Sequence, residues 1–459
     1  MPFVNYFRHL FDKIFFEIKI VLLYNKIGDN MITVIKNGNV ITMDEKRRKI
    51  EKLDIVMKND SIKELSENYT GEYDEIIDAT NKIVMPGLIN CHTHLGMSIF
   101  RATNDNLNLN DWLTKKIWPI EDHMKDQETY YTTLLSCLEM IKTGTTCFND
   151  MYFACNGSLK AIKEAKIRGV FSRCLMDNDE YGEQRIQEFI DLYNENKNNE
   201  LIKFAVAPHA LYTCSEEYLR KCSDLALKLN IPFHIHFCEN TSEVDGIVQK
   251  YHCDPVEALE KIGILRNKTI LAHGTFISDK GLELLKGKNV SIAHNPVSNL
   301  NLGCGIADIS KYKNYVNLCL GTDGQGSGNN LNLFYHMSFV DFLQKGKHQD
   351  PTVWSSYDTL KMATINGAKA LGLDKEVGSI EVGKKADIII LDLNNIEIYP
   401  GVDIITNVVH NVESNNIDTT IINGEILMKN HELCLSIDET NLKNNINKIL
   451  NELNMEKSS

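Results

Sequence analysis

Apolar residues recur along this chain in three rhythms. Over the first thirty residues, Phe3, Phe7, Leu10, Phe11, Ile14, Phe15, Ile18 and Val21 fall at helical spacing, with Arg8, Asp12, Lys13, Glu17 and Lys19 between them. This predicts an amphipathic helix whose charges recur too often for a signal-peptide core or a membrane span. The alternative is translation from Met31, where Ile32-Thr33-Val34-Ile35 opens a strand; on either reading residues 1–30 are an extension without chemistry. From Met31 to Met85 short β-rich runs alternate with turns. From Pro86 to Leu373 short apolar runs, several ending in histidine, alternate with longer helical stretches, the pattern of repeated βα units. Strands return after Gly378, at Ala386 to Asp392 and Thr420 to Leu427. From Ser436, Leu442, Ile446, Ile449, Leu450 and Leu453 predict one more amphipathic helix.

Together these rhythms predict an α/β chain. A (β/α)8 TIM-like barrel spans residues 86–374, a small β-sandwich domain is formed from both chain ends (31–85 and 375–435), and 436–459 is a helix and tail. The length, 459 residues, suits a large barrel with an appended unit. The formal charge of −13 argues against nucleic acid as a partner, because phosphate backbones call for clustered Lys and Arg. The twelve cysteines include no Cys-x-x-Cys pair, so a zinc ribbon and a thioredoxin-type motif are both excluded, and reduced thiols in the cytoplasm are expected. No stable membrane insertion is expected; a homo-oligomer is compatible with the sequence.

Candidate chemistry gathers where the apolar runs end. His92 and His94 close the run Ile83 to His94, and period-two alternation puts both on one strand face, near the C-terminal mouth if this strand opens a barrel. A second strand, Ile231 to Glu239, ends in His236 followed by Glu239. His236 can complete a three-histidine metal site, and Glu239 would sit at the rim as a proton-shuttling acid and base. His234, on the same face but deeper, is read as structural. A third run stops on His273, able to polarise a water, and a fourth stops on Asp323, a hard ligand that can also take a proton from water. A lone His-x-His arises often by chance; four strands delivering His or Asp at their ends do not.

With these motifs in place, the run Pro-Gly-Leu-Ile-Asn-Cys-His-Thr-His at 86–94, His236-Phe-Cys-Glu239, His273 and Gly321-Thr-Asp323 resemble the amidohydrolase superfamily over Met31 to Met428. Asp111-Trp112-Leu113, Trp118-Pro-Ile-Glu121 and Ala207-Pro-His209-Ala-Leu-Tyr-Thr-Cys214 look more closely like its 5-methylthioadenosine/S-adenosylhomocysteine deaminase group. That resemblance implies metal ligands His92, His94, His236 and Asp323, with Glu239 as proton shuttle. It implies that Glu121 holds the ribose hydroxyls, that His209 contacts the nucleoside, and that Arg173 and Arg185 grip the amino-acid carboxylate of the larger substrate, with Arg168 a rival. The implied activity is hydrolytic removal of ammonia from an adenine nucleoside. One divalent ion per subunit is expected, zinc first, ferrous iron or manganese otherwise.

The nearest alternative is a relative acting on guanine, cytosine or a triazine. Pro208-His209-Ala210 stands where guanine deaminases carry Pro-Arg-Phe, and Glu239 is the shuttle that triazine chlorohydrolases tend to lack. The loops Gly303 to Asp308 and Gly324 to Gly328 depart from the usual family wording. Trp112 and Trp118 are candidates for the pocket wall or for simple packing. Cys91 and Cys238 adjoin ligands but point to the opposite strand face, which predicts packing thiols.

Overall fold

A computed structural model describes residues 30–103, 106–394, 396 and 398–455. The amphipathic segment expected over residues 1–30 lies outside the described residues except for Asn30.

The β-rich runs at the two chain ends pair with one another. Lys82–Pro86 lies parallel to Ile32–Val40 on one side and antiparallel to Ile388–Asp392 on the other, with Val84 opposite Ile390. Outward from there run Glu51–Lys58 and Ser61–Ser66 at one edge, and Ile417–Ile422 and Glu425–Lys429 at the other, in one nine-stranded sheet. Ile35, Ile55, Met57, Val84, Ile388 and Ile390 fill a core of their own beneath it.

Between these ends, parallel strands follow one another in chain order. Leu88–Thr93 pairs with Thr145–Asp150, which pairs with Arg168–Phe171, which pairs with Ile202–Phe204; Cys174–Leu175 and Ala207–Pro208 extend the last two. A second run pairs Phe233–Phe237, Thr269–His273, Val290–His294 and Asn317–Leu320. The two runs meet at both edges. Val206 bridges Phe233, and the amides of Thr322 and Asp323 donate to the His92 carbonyl at 3.1 and 3.0 Å. Helices such as Asp126–Lys142, Cys155–Ala165 and Glu216–Leu229 cover the outside, giving a TIM-barrel-like α/β arrangement. Phe233–Phe237, Thr269–His273 and Val290–His294 are buried at every position, which is why they read as continuous apolar runs rather than alternating ones.

The tail forms the helix Glu439–Glu452, started by the Asp438 carboxylate accepting the amides of Thr440 and Asn441. Leu442, Ile446 and Ile449 are its buried face. Among the described residues, no helix is long and apolar enough to cross a membrane.

Arg168 is the joint between the two parts. Its Nε and Nη2 donate to Asp387 at 2.7 and 3.0 Å and Nη2 also to the Asn423 amide oxygen at 2.9 Å, with both ion-pair side chains 1% exposed. The rival candidate for carboxylate binding is therefore occupied far from the strand mouths. Arg168→Met leaves Asp387 buried without its partner and should cost about 3–5 kcal/mol in urea unfolding, while Arg168→Met with Asp387→Leu should recover most of that loss.

Candidate active site

The strand ends bring four predicted ligands to one place. His92 lies near the end of Leu88–Thr93 and His94 follows it, His236 lies in Phe233–Phe237, and Asp323 follows Asn317–Leu320. The His94 and His236 Nε2 atoms are 3.3 Å apart, and Asp323 Oδ1 lies 3.1 Å from His94 Nε2 and 3.5 Å from His92 Nε2. Within each of the sets His92-His94-Asp323, His92-His236-His273 and Glu239-His273-Asp323, the ligand atoms lie within 4.8 Å of one another.

The neighbours determine which nitrogen faces inward. A carbonyl only accepts, so His94 Nδ1–H donates to Met151 O at 2.5 Å and His236 Nδ1–H donates to His209 O at 2.9 Å, which turns both Nε2 atoms toward the centre. His273 is turned the same way by the Asn299 side-chain oxygen at 2.8 Å. His92 Nε2 is buried without a hydrogen-bond partner, while its Nδ1 lies 3.0 Å from His234 Nε2. Inward lone pairs this close repel one another unless a proton or cation stands between them. The donor set, three imidazoles and a carboxylate, is that of a catalytic divalent-metal site, so the residues fit the expected ion. Asp323 is itself held by three donors: Ser298 and Ser327 hydroxyls to Oδ2 at 2.6 and 2.7 Å, and the Gly324 amide to Oδ1 at 2.9 Å. His273 and Asp323 both adopt positive φ, 73° and 61°, a conformation that non-glycine residues hold where the surroundings over-determine it.

Around this cluster closes a cavity lined by Glu239, His273, Glu121, His209, Tyr152 and Trp112, with Leu109, Leu113, Ile117 and Trp118 as its roof. Both tryptophans are thus wall residues. An amidohydrolase family model matches residues 83–427. The chain belongs to the amidohydrolase family. It is 42% identical over 409 residues to a 5-methylthioadenosine/S-adenosylhomocysteine deaminase of Thermoanaerobacter pseudethanolicus, covering 88% of this chain and 95% of that protein. It is 39% identical to a 5'-deoxyadenosine deaminase of Methanococcus aeolicus, covering 87% and 95% respectively. Among solved structures, an adenosine deaminase from Xanthomonas campestris with bound zinc superposes with a TM-score of 0.88 at 28% identity, over 92% of this chain and 99% of that one.

Charge in this amidohydrolase site is set by burial and by Asp323. Burial raises the Asp323 carboxyl, but the His92 and His94 imidazoles beside it outweigh this and hold it well below the usual carboxylate range. Burial lowers His94, yet contact with Asp323 carries it up to about 9. Burial alone accounts for most of the depression of His92 and His209, each to about 3. Glu239, 5% exposed, is pushed up to about 8 by burial and then by the Asp323 charge; the Cys304 thiol, 3.7 Å from its Oε1, opposes this. Burial lifts Glu121 to about 7 against a hydrogen bond from Tyr152.

The two arginines lie elsewhere. Arg173 Nε donates to Glu188 at 3.1 Å and Nη1 to the Cys174 carbonyl; Arg185 forks onto both Asp179 oxygens at 2.5 and 2.6 Å and reaches the Met176 carbonyl. Neither borders the cavity. Sequence reasoning missed Ser298 and Ser327 behind Asp323, Tyr152 beside Glu121, and Cys304 beside Glu239. Ser298, Tyr152 and Cys304 carry no spacing signal, since each meets its partner across more than twenty residues of chain, whereas Ser327 stands only four residues after Asp323.

A cation entering among these groups must displace the His94 proton. Zinc titrated calorimetrically at pH 8 in buffers of different ionisation heat should therefore release about one proton per ion, and affinity should fall by up to about tenfold per pH unit below 9. Binding without proton release and without pH dependence would contradict this protonation pattern.

Proposed function

We propose that this amidohydrolase removes the 6-amino group of adenine nucleosides (adenosine, 5-methylthioadenosine or S-adenosylhomocysteine) as ammonia, leaving the inosine-type product. The observation that carries the reading is the meeting of a convergent His92-His94-His236-Asp323 set with a buried carboxyl, Glu239, which burial pushes up to about 8. Relatives near 40% identity across most of the chain, bearing adenine-nucleoside deaminase names, support it. The same reading takes the parallel strands (86–374) as a closed (β/α)8 barrel and the end-paired strands (31–85 and 375–435) as a β-sandwich domain. It takes residues 436–459 as a C-terminal helix and tail, and the enzyme as cytoplasmic.

His92, His94, His236 and Asp323 would hold one divalent ion, zinc by its preference for nitrogen and oxygen donors, with ferrous iron or manganese as substitutes. When bound, such an ion supplies Lewis-acid activation of water near neutral pH. Asp323, with Oδ2 held by Ser298 and Ser327, accepts a proton from the water that adds to C6. Glu239 donates its carboxyl proton to ring N1 as C6 becomes tetrahedral. His273, its Nε2 3.7 Å from Glu239 Oε2, steadies the developing hydroxyl. The proton on Asp323 passes to the amine, the C6–N bond breaks with release of ammonia, and the C6 hydroxyl becomes the carbonyl as its proton returns to Glu239. Glu121 binds the ribose hydroxyls, and the neutral His209, its Nδ1 2.9 Å from the Thr213 hydroxyl, contacts the nucleoside. For Arg173 and Arg185 to grip a substrate carboxylate, they must exchange Glu188 and Asp179 for it.

The test is ammonia release and the adenine-to-hypoxanthine absorbance change with the three nucleosides on zinc-loaded protein. Glu239→Gln, which keeps shape but gives up the titrating proton, should lower kcat by about a hundred- to ten-thousandfold. Folded, metal-loaded protein that turns over none of the three would refute the reading.

The pH profile gives a second check. Glu239 must enter the cycle protonated, and its carboxyl loses the proton as pH rises through about 8. The kcat/KM of the wild-type protein should fall on the alkaline side at or somewhat below that pH, since a bound cation draws the value down. A profile flat to pH 10 would remove Glu239 from the acid role.

A further inference from the structure

A carboxyl that hands a proton to a ring nitrogen must present it from the right oxygen, so the setting of the Glu239 side chain is part of the chemistry. Its backbone is fixed locally: the Glu239 amide donates to Glu243 Oε2 at 2.7 Å, and Cys238 before it holds a positive φ of 50°. The carboxyl still turns about several side-chain torsions. Its two oxygens differ in what they face. Oε2 lies 3.7 Å from His273 Nε2, and Oε1 lies 3.7 Å from the Cys304 thiol, within hydrogen-bonding distance for sulfur.

Cys304 is built into place. It follows the helix Pro296–Asn301, with its amide on the Asn299 carbonyl at 2.8 Å and the Gly303 amide on that of Leu300 at 3.1 Å. Gly303 and Gly305 on either side have φ of 65° and 120°, a region open to glycine, and a Cβ at Gly305 would stand 2.7 Å from the Phe276 ring. Cys304 itself is buried, and burial together with the Glu239 charge pushes its thiol up, so it stays S–H and is the donor of the pair. The same segment reaches two other groups of the site. Ser298 donates to Asp323 Oδ2 at 2.6 Å, and the Asn299 side chain lies 2.8 Å from His273 Nδ1 and 3.0 Å from the Thr275 hydroxyl. Residues 296–305 thus touch Asp323, His273 and Glu239 together. A neutral carboxyl has one carbonyl oxygen and one hydroxyl, and a donor at Oε1 favours Oε1 as the carbonyl oxygen.

Resting on the deaminase reading above, we propose that Cys304 is a positioning residue for the proton transfer: its S–H donates to Glu239 Oε1 and so keeps the transferable proton on Oε2, the oxygen turned toward His273. The O–H bond at Oε2 breaks as the N1–H bond forms, and the thiol keeps its own proton throughout. The carboxylate left behind retains the Cys304 hydrogen bond at Oε1, so Oε2 takes the proton back from the C6 hydroxyl.

The experiment is a double-mutant cycle on the zinc-loaded full chain with 5-methylthioadenosine. Cys304→Ala should lower kcat about tenfold with KM changed by less than about twofold, and Cys304→Ser, which keeps a donor on the same carbon, should stay within about threefold of wild type. In the Glu239→Gln background, where no carboxyl proton remains to be placed, Cys304→Ala should change kcat by less than about twofold, whereas a packing role lowers both backgrounds alike. Infrared difference spectra with and without Cys304→Ala isolate the Cys304 S–H stretch, which should move to higher frequency in Glu239→Leu, where the acceptor is gone. Thermal unfolding checks each variant, and the Cys304→Ser difference spectrum carries the infrared test should the alanine variant not fold. Wild-type kcat in Cys304→Ala, an equal loss in the Glu239→Gln background, or an S–H band indifferent to Glu239→Leu overturns the positioning role and leaves the deaminase reading standing. Turnover of no adenine nucleoside by the wild-type protein overturns the deaminase reading and the positioning role with it.

Discussion

Imidazole lone pairs and a carboxylate crowded into a space shielded from water have strong mutual preferences, and the rest of this structure is committed to holding them there. His94 and His236 approach with Nε2 atoms 3.3 Å apart, and His92 Nε2 has no hydrogen-bond partner. Such an arrangement persists only because each ring is tied from behind: His94 by Met151, His236 by the His209 carbonyl, His273 by Asn299. The backbone contributes strain as well, in the positive φ of His273 and Asp323.

The division of protons follows from the same crowding. Asp323 sits close enough to two imidazoles to stay ionised despite burial, and its charge holds a proton on His94 and helps keep one on Glu239. One carboxyl is thus held ionised and a second is pushed toward its neutral form within a single cavity. That difference suits the base and acid roles proposed for them. The buried Arg168-Asp387 pair does comparable work between the two parts of the chain, seating the end-paired sheet against the parallel strands without contributing to the chemistry.

Much of this was legible in the chain, though unevenly. His92, His94, His236, Glu239, His273 and Asp323 announce themselves because a strand end leaves a local signature, an apolar run stopped by a ligand. The pairing of both chain ends was legible in the β-rich runs at 31–85 and after Gly378, because apolar runs too short for a helix need partner strands. The serines behind Asp323 differ in this respect: Ser327 reaches its carboxylate within one local turn, whereas Ser298, in a helix 25 residues away in the chain, is brought to the same oxygen only by the packing of neighbouring strands. Arg173 and Arg185 show the reverse, residues conspicuous in sequence whose neighbours Glu188 and Asp179 are what decide their charge environment.

The sequence by itself determined the kinds of chemistry this protein holds and the order in which strands deliver it, because hydrophobic periodicity and residue type act over a few neighbouring positions. Only the tertiary structure decided distances, protonation and pairing: which nitrogen of each histidine faces inward, which carboxyl keeps its proton, and which arginine is already occupied. Those properties depend on burial and on charges brought close from distant parts of the chain, and neither exists until the strands have closed around them.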